Sequence, residues 1–236
     1  MAATQDEIAT YTDWKDWRAE DFGQFRRGDA RYFGWLLAQC PGAPVRQVLE
    51  LGFGNGQFLG WARAQGMQVA GIETQPALLA RAQAAGLAAW GTVGALPADA
   101  RYDLIAAFDV LEHIPQDQLI GLIGSLAGRL APGGHIVCRV PNGESPLGRM
   151  HQHGDLTHCS TLGVSKFRQI GAALGLQVQG LGEAPWQALQ HAGRSPKNLL
   201  RAQLRRLIER CLAFAYQWDA DTLAPNVLVR LYRPPR

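Results

Sequence analysis

The most constraining feature of this sequence is a run of three alternating glycines directly after a short apolar segment. Gly52, Gly54 and Gly56 follow the apolar residues 48–51 and precede a segment with helical spacing. Glycines let the chain turn sharply and leave no Cβ in the way of a ligand, and open α/β sheets bind ligands where strands end in such turns. The spacing differs from the dinucleotide fingerprint Gly-x-Gly-x-x-Gly, and Glu50 stands two residues before the first glycine. The pattern therefore predicts a strand, a ligand-binding turn and a helix.

Short β-type runs alternate with helical ones from residue 45 onward, which is typical of a parallel sheet covered by helices on both faces. We predict strands at residues 45–51, 68–72, 87–90, 103–108, 135–140, 177–181 and 226–232. We predict helices at residues 57–65, 76–85, 116–130, 165–174 and about 196–218. Residues 45–236 then form one α/β domain, which includes a long polar loop at residues 141–161. Residues 1–44 are rich in aromatic side chains and are predicted to form a helical cap that packs on the core or covers a site.

Composition excludes several classes of protein. Hydrophobic residues make up 47% of the 236 residues and charged ones 18%, which leaves enough apolar surface for a folded core. The net charge of +3 is too small to indicate nucleic-acid binding. The four cysteines are widely spaced and predict neither disulfides nor a zinc site. Acidic residues near the N-terminus and the lack of a long apolar run predict a cytoplasmic protein that does not span a membrane.

Glu73 ends the second predicted strand, next to the glycine turn in the expected sheet. A carboxylate at this position can accept hydrogen bonds from both hydroxyls of a ribose, so it suits a bound nucleoside. The alternative is a solvated turn residue or a helix cap, because Pro76 opens a helix nearby. The combination with the glycine turn favours the ribose role.

Several segments together resemble the class I S-adenosylmethionine (SAM)-dependent methyltransferases. The resemblance is carried by residues 50–56, Glu73, residues 102–105, residues 108–114 and residues 130–136, in the family's order and spacing. It implies a Rossmann-like sheet of seven strands, mostly parallel with an antiparallel last strand, and SAM as the cofactor. The cofactor-binding residues that it implies are Glu50, Gly52, Phe53, Gly54, Asn55, Gly56, Glu73, Thr74, Thr92, Val93, Asp109, Val110 and His113. One departure is that residues 90–94 lack the carboxylate with which many members hold the adenine.

Within this family the sequence is most similar to O-methyltransferases of the ubiquinone-biosynthesis type and of the type that modifies surface polysaccharides. The second similarity is carried by residues 22–25, Tyr32, Phe33, residues 141–158 and residues 166–167. It implies O-methylation of a hydroxyl on a glycan or a saccharide-lipid precursor, with the acceptor at the loop of residues 141–161.

This loop contains three of the six histidines, His151, His153 and His158, together with Asp155. A sugar hydroxyl attacks a methyl group better when a base with a pKa near neutrality removes its proton, and histidine is such a base. We expect His158 to be the base, with His153 as the second candidate and Asp155 as the residue that orients it. No metal site is predicted, although His151, His153, Asp155 and His158 could bind Zn²⁺ or Mn²⁺, or form only a polar surface loop.

The predicted helix at residues 196–218 has arginines on one side and a leucine-rich stripe on the other. The stripe is interpreted first as packing on the sheet or on a second copy of the chain in a homodimer. The alternative is peripheral contact with an anionic membrane or with the phosphates of a lipid-linked glycan. Nucleic acid is not expected, because no aromatic residues interleave with the arginines.

Other functions remain open at this point. A small-molecule O-methyltransferase acting on a phenol or quinone precursor would depend less on His158, and an amine acceptor would need no base. A methyltransferase-like subunit without activity would bind SAM or a partner and act as a scaffold. An NAD-dependent oxidoreductase is disfavoured by the glycine spacing.

Overall fold

A computed structural model describes residues 17–182, 196–217 and 222–234 of the chain. The strands are β1 (Gln47–Leu51), β2 (Gln68–Ile72), β3 (Ala88–Trp90), β4 (Tyr102–Phe108), β5 (Leu130–Pro141), β6 (Gln177–Gly180) and β7 (Asn226–Tyr232). The α-helices are α1 (Arg27–Ala38), α2 (Gln57–Ala64), α3 (Pro76–Ala84), α4 (Gln116–Ala127), α5 (Arg149–His153), α6 (Val164–Leu174) and α7 (Pro196–Tyr216). Short 3₁₀ turns occur at Ala19–Asp21, Val93–Ala95, Leu111–His113 and Pro146–Gly148.

The seven strands form one sheet in the order β3-β2-β1-β4-β5-β7-β6. All neighbouring pairs from β3 to β5 are parallel, whereas β7 runs antiparallel to both β5 and β6. The predicted α/β class with a mostly parallel, seven-stranded sheet and an antiparallel last strand is therefore confirmed. The strand order changes direction at β1 and β4, and ligands bind at such points beside the carboxyl ends of the strands.

Helices cover both faces of the sheet because alternate strand residues point to opposite sides. On one face Val48 and Leu104 pack against α1 and α2, where Phe33 and Phe58 are buried. On the other face Leu49 lies in a cluster with residues of α4 and α6. The aromatic side chains of α1 thus belong to the core.

Two predicted boundaries and one predicted loop are wrong. Strand β5 begins at Leu130 instead of residue 135, because Leu130 pairs with Tyr102 and a register shift before Leu104 accommodates the extra residues. Helix α4 consequently ends at Ala127. The loop at residues 141–161 contains the 3₁₀ turn Pro146–Gly148 and helix α5.

Helix α7 carries the basic and apolar faces that the sequence predicts, but its apolar stripe is exposed. Leu200, Leu204, Leu207 and Ile208 are 69%, 52%, 58% and 46% exposed, so packing of this stripe on the sheet is wrong for the described residues. Trp218 of the predicted helix lies outside the described residues. No helix in the described part of the chain is long and apolar enough to cross a membrane.

Candidate functional site

The glycine turn lies between β1 and α2, at the carboxyl end of the first strand. Gly52, Gly54 and Gly56 have φ angles of 66°, 51° and 71°, in the left-handed region that favours glycine. The side chains between them point into the protein, where Phe53 and Asn55 are 4% and 7% exposed. The side chains of Phe53 and Asn55 therefore do not cover the main chain of this turn.

Glu73 lies against this turn, at the end of the neighbouring strand β2. Its Oε2 accepts a hydrogen bond from Gly54 N at 3.1 Å and its Oε1 accepts one from Gln75 N at 3.0 Å. The carboxylate is 7% exposed and is held in one orientation by both bonds. The structure thus brings together the glycine turn and the acid that the sequence assigns to the ribose.

The segment that precedes α1 crosses the glycine turn. A Cβ placed on Gly54 would lie 2.8 Å from the Trp17 ring, and one placed on Gly56 would lie 3.1 Å from the Phe22 ring. The Phe22 ring also meets the Phe53 ring edge-on, with centroids 6.3 Å apart. Aromatic side chains near the start of the described chain therefore cover this turn.

The other expected cofactor residues follow the ends of β2, β3 and β4. Thr74 and Thr92 are exposed and Val93 is half-buried. Val110 lies so close to Gly52 that any Cβ on this glycine would overlap it. Asp109 has a left-handed φ of 54°, and its carboxylate forms an ion pair with Arg139 of β5, whose Nε donates to Oδ1 at 3.0 Å. The Asp109 carboxylate is therefore held by a partner that the sequence did not reveal.

A cluster of polar side chains joins the turn after β4 to the segment after α5. His158 Nε2 lies 3.9 Å from Glu112 Oε1 and 3.8 Å from Asp155 Oδ2. The rings of His113 and His158 meet edge-on, with centroids 4.7 Å apart. Burial raises the pKa of Asp155, but hydrogen bonds from Thr157 and the charges of His158 and His113 outweigh this and hold it below its usual value. His113, assigned to the cofactor from the sequence, thus contacts the predicted catalytic residue His158.

His151 and His153 do not join this cluster. Both are exposed on α5, where residues two positions apart point to different sides of the helix. Among the described residues, the group able to hold a metal ion is Glu112, His113 and His158, so a site made of the three loop histidines is not found. His153 instead lines an open hollow of about 460 Å³ together with Gly143, Glu144, Ser145, Pro146 and Arg149.

Glu50 is buried beneath the glycine turn and is 4% exposed. Burial is the main cause that raises its pKa well above 4.5, and the Glu73 charge adds to this, against a hydrogen bond from Leu59 N and the charge of Arg139. Above pH 4.5 the unfolded chain releases this proton while the folded chain retains it, so the group lowers stability as the pH rises. The neutral carboxyl is therefore the form that the fold favours.

We expect Glu50→Gln to raise the melting temperature at pH 8, because glutamine has the shape of the neutral carboxyl and cannot ionise. The difference from the unchanged protein should shrink at pH 5. Thermal unfolding followed by circular dichroism, without ligand, measures both values. The raised pKa would be contradicted if the gain in melting temperature from Glu50→Gln were smaller at pH 8 than at pH 5.

Sequence reasoning missed Glu112, Thr157 and Arg139 as parts of the site. Glu112 was seen only as part of the segment after β4, although an acid and a histidine side by side at the end of a parallel strand are a signal that could have found it. Thr157 stands between Asp155 and His158, and no local pattern indicates that its hydroxyl contacts His113. The contacts of all three join residues that are distant in the chain.

The chain matches a family model and is similar to solved structures. A family model described as "Methyltransferase domain" matches residues 13–181. A search of curated proteins found no match. A SAM-dependent methyltransferase from Archaeoglobus fulgidus has a similar structure, with a TM-score of 0.65 and 16% identity over 95% of this chain and 98% of that one.

Two further structures are similar over nearly the whole chain. One is a methyltransferase of Haloferax volcanii in complex with the Trm112 methyltransferase activator, with a TM-score of 0.65 and 17% identity over 99% of this chain and 100% of that one. The other is the plantazolicin methyltransferase BpumL with S-adenosylhomocysteine (SAH), with a TM-score of 0.62 and 17% identity over 98% of this chain and 91% of that one. At these identities the likeness shows the fold, while the family model covers most of the chain. The chain therefore belongs to the methyltransferase-domain family and is a SAM-dependent methyltransferase.

Proposed function

We propose that this methyltransferase transfers the methyl group of SAM to a hydroxyl on a glycan or a saccharide-lipid precursor. The observation that carries the acceptor class is the open hollow beside α5, where Glu144, Arg149 and His153 line the surface together with Gly143 and Pro146. Charged and hydrogen-bonding side chains around a solvent-open hollow suit a polar saccharide. A phenol or quinone precursor would be better served by an enclosed apolar pocket.

We assign SAM to the carboxyl ends of β1, β2 and β4. The main chain of Gly52–Gly56 would lie under the cofactor, and Glu73 would accept hydrogen bonds from the ribose hydroxyls. Glu50 would face the amino-acid part from below the turn. The remaining parts of the cofactor would contact Thr74, Thr92, Val93 and Val110. Asp109, which is held by Arg139, would lie beside them.

The reaction forms a bond between the acceptor oxygen and the methyl carbon while the bond from this carbon to the sulfonium sulfur breaks. SAH leaves as a neutral thioether, and the hydroxyl proton is lost. Holding the hydroxyl in line with the methyl group supplies most of the acceleration. The cluster of Glu112, His113, Asp155 and His158 supplies the groups that favour loss of the proton. In the described structure His158 Nε2 faces Glu112 and Asp155, so we assign it to this cluster instead of to a base acting alone.

Helix α7 supports the saccharide-lipid form of the acceptor. Its exposed leucines lie beside Arg201, Arg206 and Arg210, an arrangement that binds anionic lipid surfaces. The competing proposal is that a second copy of the chain covers the stripe. Sedimentation with phosphatidylglycerol vesicles and size-exclusion chromatography separate the two, because a homodimer would form without lipid.

The function is tested by methyl transfer from SAM carrying a radiolabelled methyl group. The acceptors are a polyprenyl-diphosphate-linked saccharide, the free saccharide and a catechol. We expect labelled saccharide and no labelled catechol. Turnover on catechol alone would favour the phenol-type alternative, and SAH binding without turnover on any acceptor would favour a scaffold role.

We expect His158→Ala to lower kcat by at least about 100-fold on a saccharide, the range in which a group assisting proton transfer contributes. SAH affinity should be unchanged, because we assign no cofactor contact to His158. His151→Ala, on the exposed side of α5, is the matched control and should retain full turnover. A loss of less than about tenfold in His158→Ala would point to an acceptor, such as a phenol or an amine, that needs no help in losing its proton.

A further inference from the structure

Four side chains with oxygen or nitrogen donors come together from two segments of the chain. Glu112 and His113 follow β4, while Asp155 and His158 follow α5. One donor atom from each of Glu112, His113 and His158 lies within 4.8 Å of the others. Asp155 Oδ2 lies 3.8 Å from His158 Nε2, is buried, and accepts no hydrogen bond. The donor atoms of Glu112, His113 and His158 thus surround one small volume, and Asp155 lies next to His158.

The hydrogen bonds around the two histidines fix which ring nitrogen carries the proton. His158 Nδ1 lies 3.0 Å from Gln152 O, and a carbonyl oxygen only accepts, so Nδ1 donates. Thr157 Oγ1 donates its single proton to Asp155 Oδ1 at 2.5 Å. Its oxygen, 2.9 Å from His113 Nδ1, must then accept from that nitrogen. In the neutral form both histidines therefore carry a lone pair on Nε2.

The two segments are joined rigidly at this point. Cys159 N and Ser160 N donate to Glu112 O at 2.9 Å and 3.0 Å, and Ser160 Oγ donates to Ile114 O at 2.6 Å. The side chain of Glu112 is almost fully buried, at 1% exposed. The main-chain bonds on either side of Glu112 hold this buried side chain in place.

We propose that Glu112, His113, Asp155 and His158 bind a divalent first-row cation of the Zn²⁺ or Mn²⁺ type. Histidine ligands of such ions donate their other ring N–H to an oxygen, which is the arrangement at both histidines. Two imidazoles and two carboxylates suit these ions and do not suit Mg²⁺, which prefers oxygen ligands alone. Tetrahedral bonds of about 2.0–2.2 Å put ligand atoms roughly 3.3–3.6 Å apart, so donor atoms that now lie within 4.8 Å of one another would close by up to roughly 1.5 Å.

This inference goes beyond the proposed function and does not depend on the identity of the acceptor. A cation at this place would lower the pKa of a hydroxyl bound to it and favour loss of its proton. His158 would then act as a ligand, which accounts for the direction of its Nε2. His113 and His158 contribute donor atoms to the same group as Glu112, whereas His151 and His153 stay outside it.

The test uses the full chain, treated with EDTA and dialysed, without any acceptor. Zn²⁺ is titrated by calorimetry, and Co²⁺ is titrated by its visible absorption, which reports the nitrogen and oxygen ligands directly. We expect one ion per chain, with Mg²⁺ at least about 100-fold weaker. His113→Ala and His158→Ala should each weaken Co²⁺ binding by more than about 100-fold, and Thr157→Val by about 10- to 100-fold. His151→Ala should bind Co²⁺ as the unchanged protein does.

Circular dichroism and the melting temperature show whether each variant is folded, and Thr157→Val tests the cluster at an exposed position if His158→Ala does not fold. No uptake of Zn²⁺ or Co²⁺ by the folded protein would overturn the proposal. Equal binding by the unchanged protein and folded His113→Ala, or equal affinity for Mg²⁺, would overturn it as well. Methyl transfer is not measured here, so either result leaves the proposed function standing.

Discussion

Replacing Glu73 by alanine is expected to abolish measurable binding of SAH. The carboxylate accepts hydrogen bonds from Gly54 N and Gln75 N, and we assign the ribose hydroxyls to its remaining lone pairs. Hydrogen bonds to a charged group contribute about 1.5–3 kcal/mol each, so losing two of them weakens binding by roughly 100- to 10,000-fold. The glycine turn also loses the side chain that fixes Gly54. Calorimetric titration of the purified protein with SAH measures the effect.

Asp103→Ala is the matched control for this experiment. Asp103 Oδ2 accepts hydrogen bonds from Arg46 N and Gln47 N at 2.8 Å and 2.9 Å, at the opposite end of β1. Its loss removes the same kind of contact, so we expect a lower melting temperature and unchanged affinity for SAH. If Glu73→Ala binds SAH with unchanged affinity, or if both variants lose the same affinity, the assignment of Glu73 to the ribose is contradicted.

The second large effect is expected from Gly60→Ala in α2. A Cβ at this position would overlap the carbonyl oxygen of Gly23 and lie 2.9 Å from the Gly23 Cα. These are main-chain atoms, and Gly23 N is bound to Asn55 O at 2.8 Å, so no side-chain rotation relieves the overlap. Overpacking of this kind costs about 1–3 kcal/mol or more, which lowers the melting temperature by roughly 2–12 °C in a chain of this size.

Gly121→Ala in α4 has the opposite expected sign. A Cβ there meets no atom within 4 Å, and alanine is the better helix former by about 1 kcal/mol. Differential scanning calorimetry of both variants should give a melting temperature below that of the unchanged protein for Gly60→Ala and above it for Gly121→Ala. If the melting temperature of Gly60→Ala is as high as that of Gly121→Ala, the segment around Gly23 does not pack on α2 as described.

The sheet could be predicted because its signals are local. The second and last strands match the predicted residues 68–72 and 226–232 without a shift, since each is an apolar run with polar ends. The turn at the three glycines could be predicted equally well, because left-handed φ angles restrict these positions to glycine in most sequences. The start of β5 was missed because the proline and glycines before His135 look like a turn, while the pairing of Leu130 with Tyr102 is a tertiary contact.

The candidate site could be predicted only in part. Glu73 and the glycine turn come from patterns within one βαβ unit, so their proximity follows from the topology. The partners of His158 could not be predicted, because Glu112 is 46 positions away in the sequence and helix α5 decides which histidines turn inward. The exposure of the α7 stripe was also unforeseen, because periodicity gives an apolar face without saying what covers it.

The place of β7 between β5 and β6 has a consequence for biosynthesis. Its buried side chains Val227, Val229 and Leu231 fill the core beside β5, and β6 pairs with no strand except β7 in the described sheet. While a ribosome is still translating α7, the edge of β5 is unpaired, and such an edge attracts other chains. At about 5–20 residues per second this interval lasts several seconds, so we expect nascent chains to need protection from aggregation until β7 has been translated.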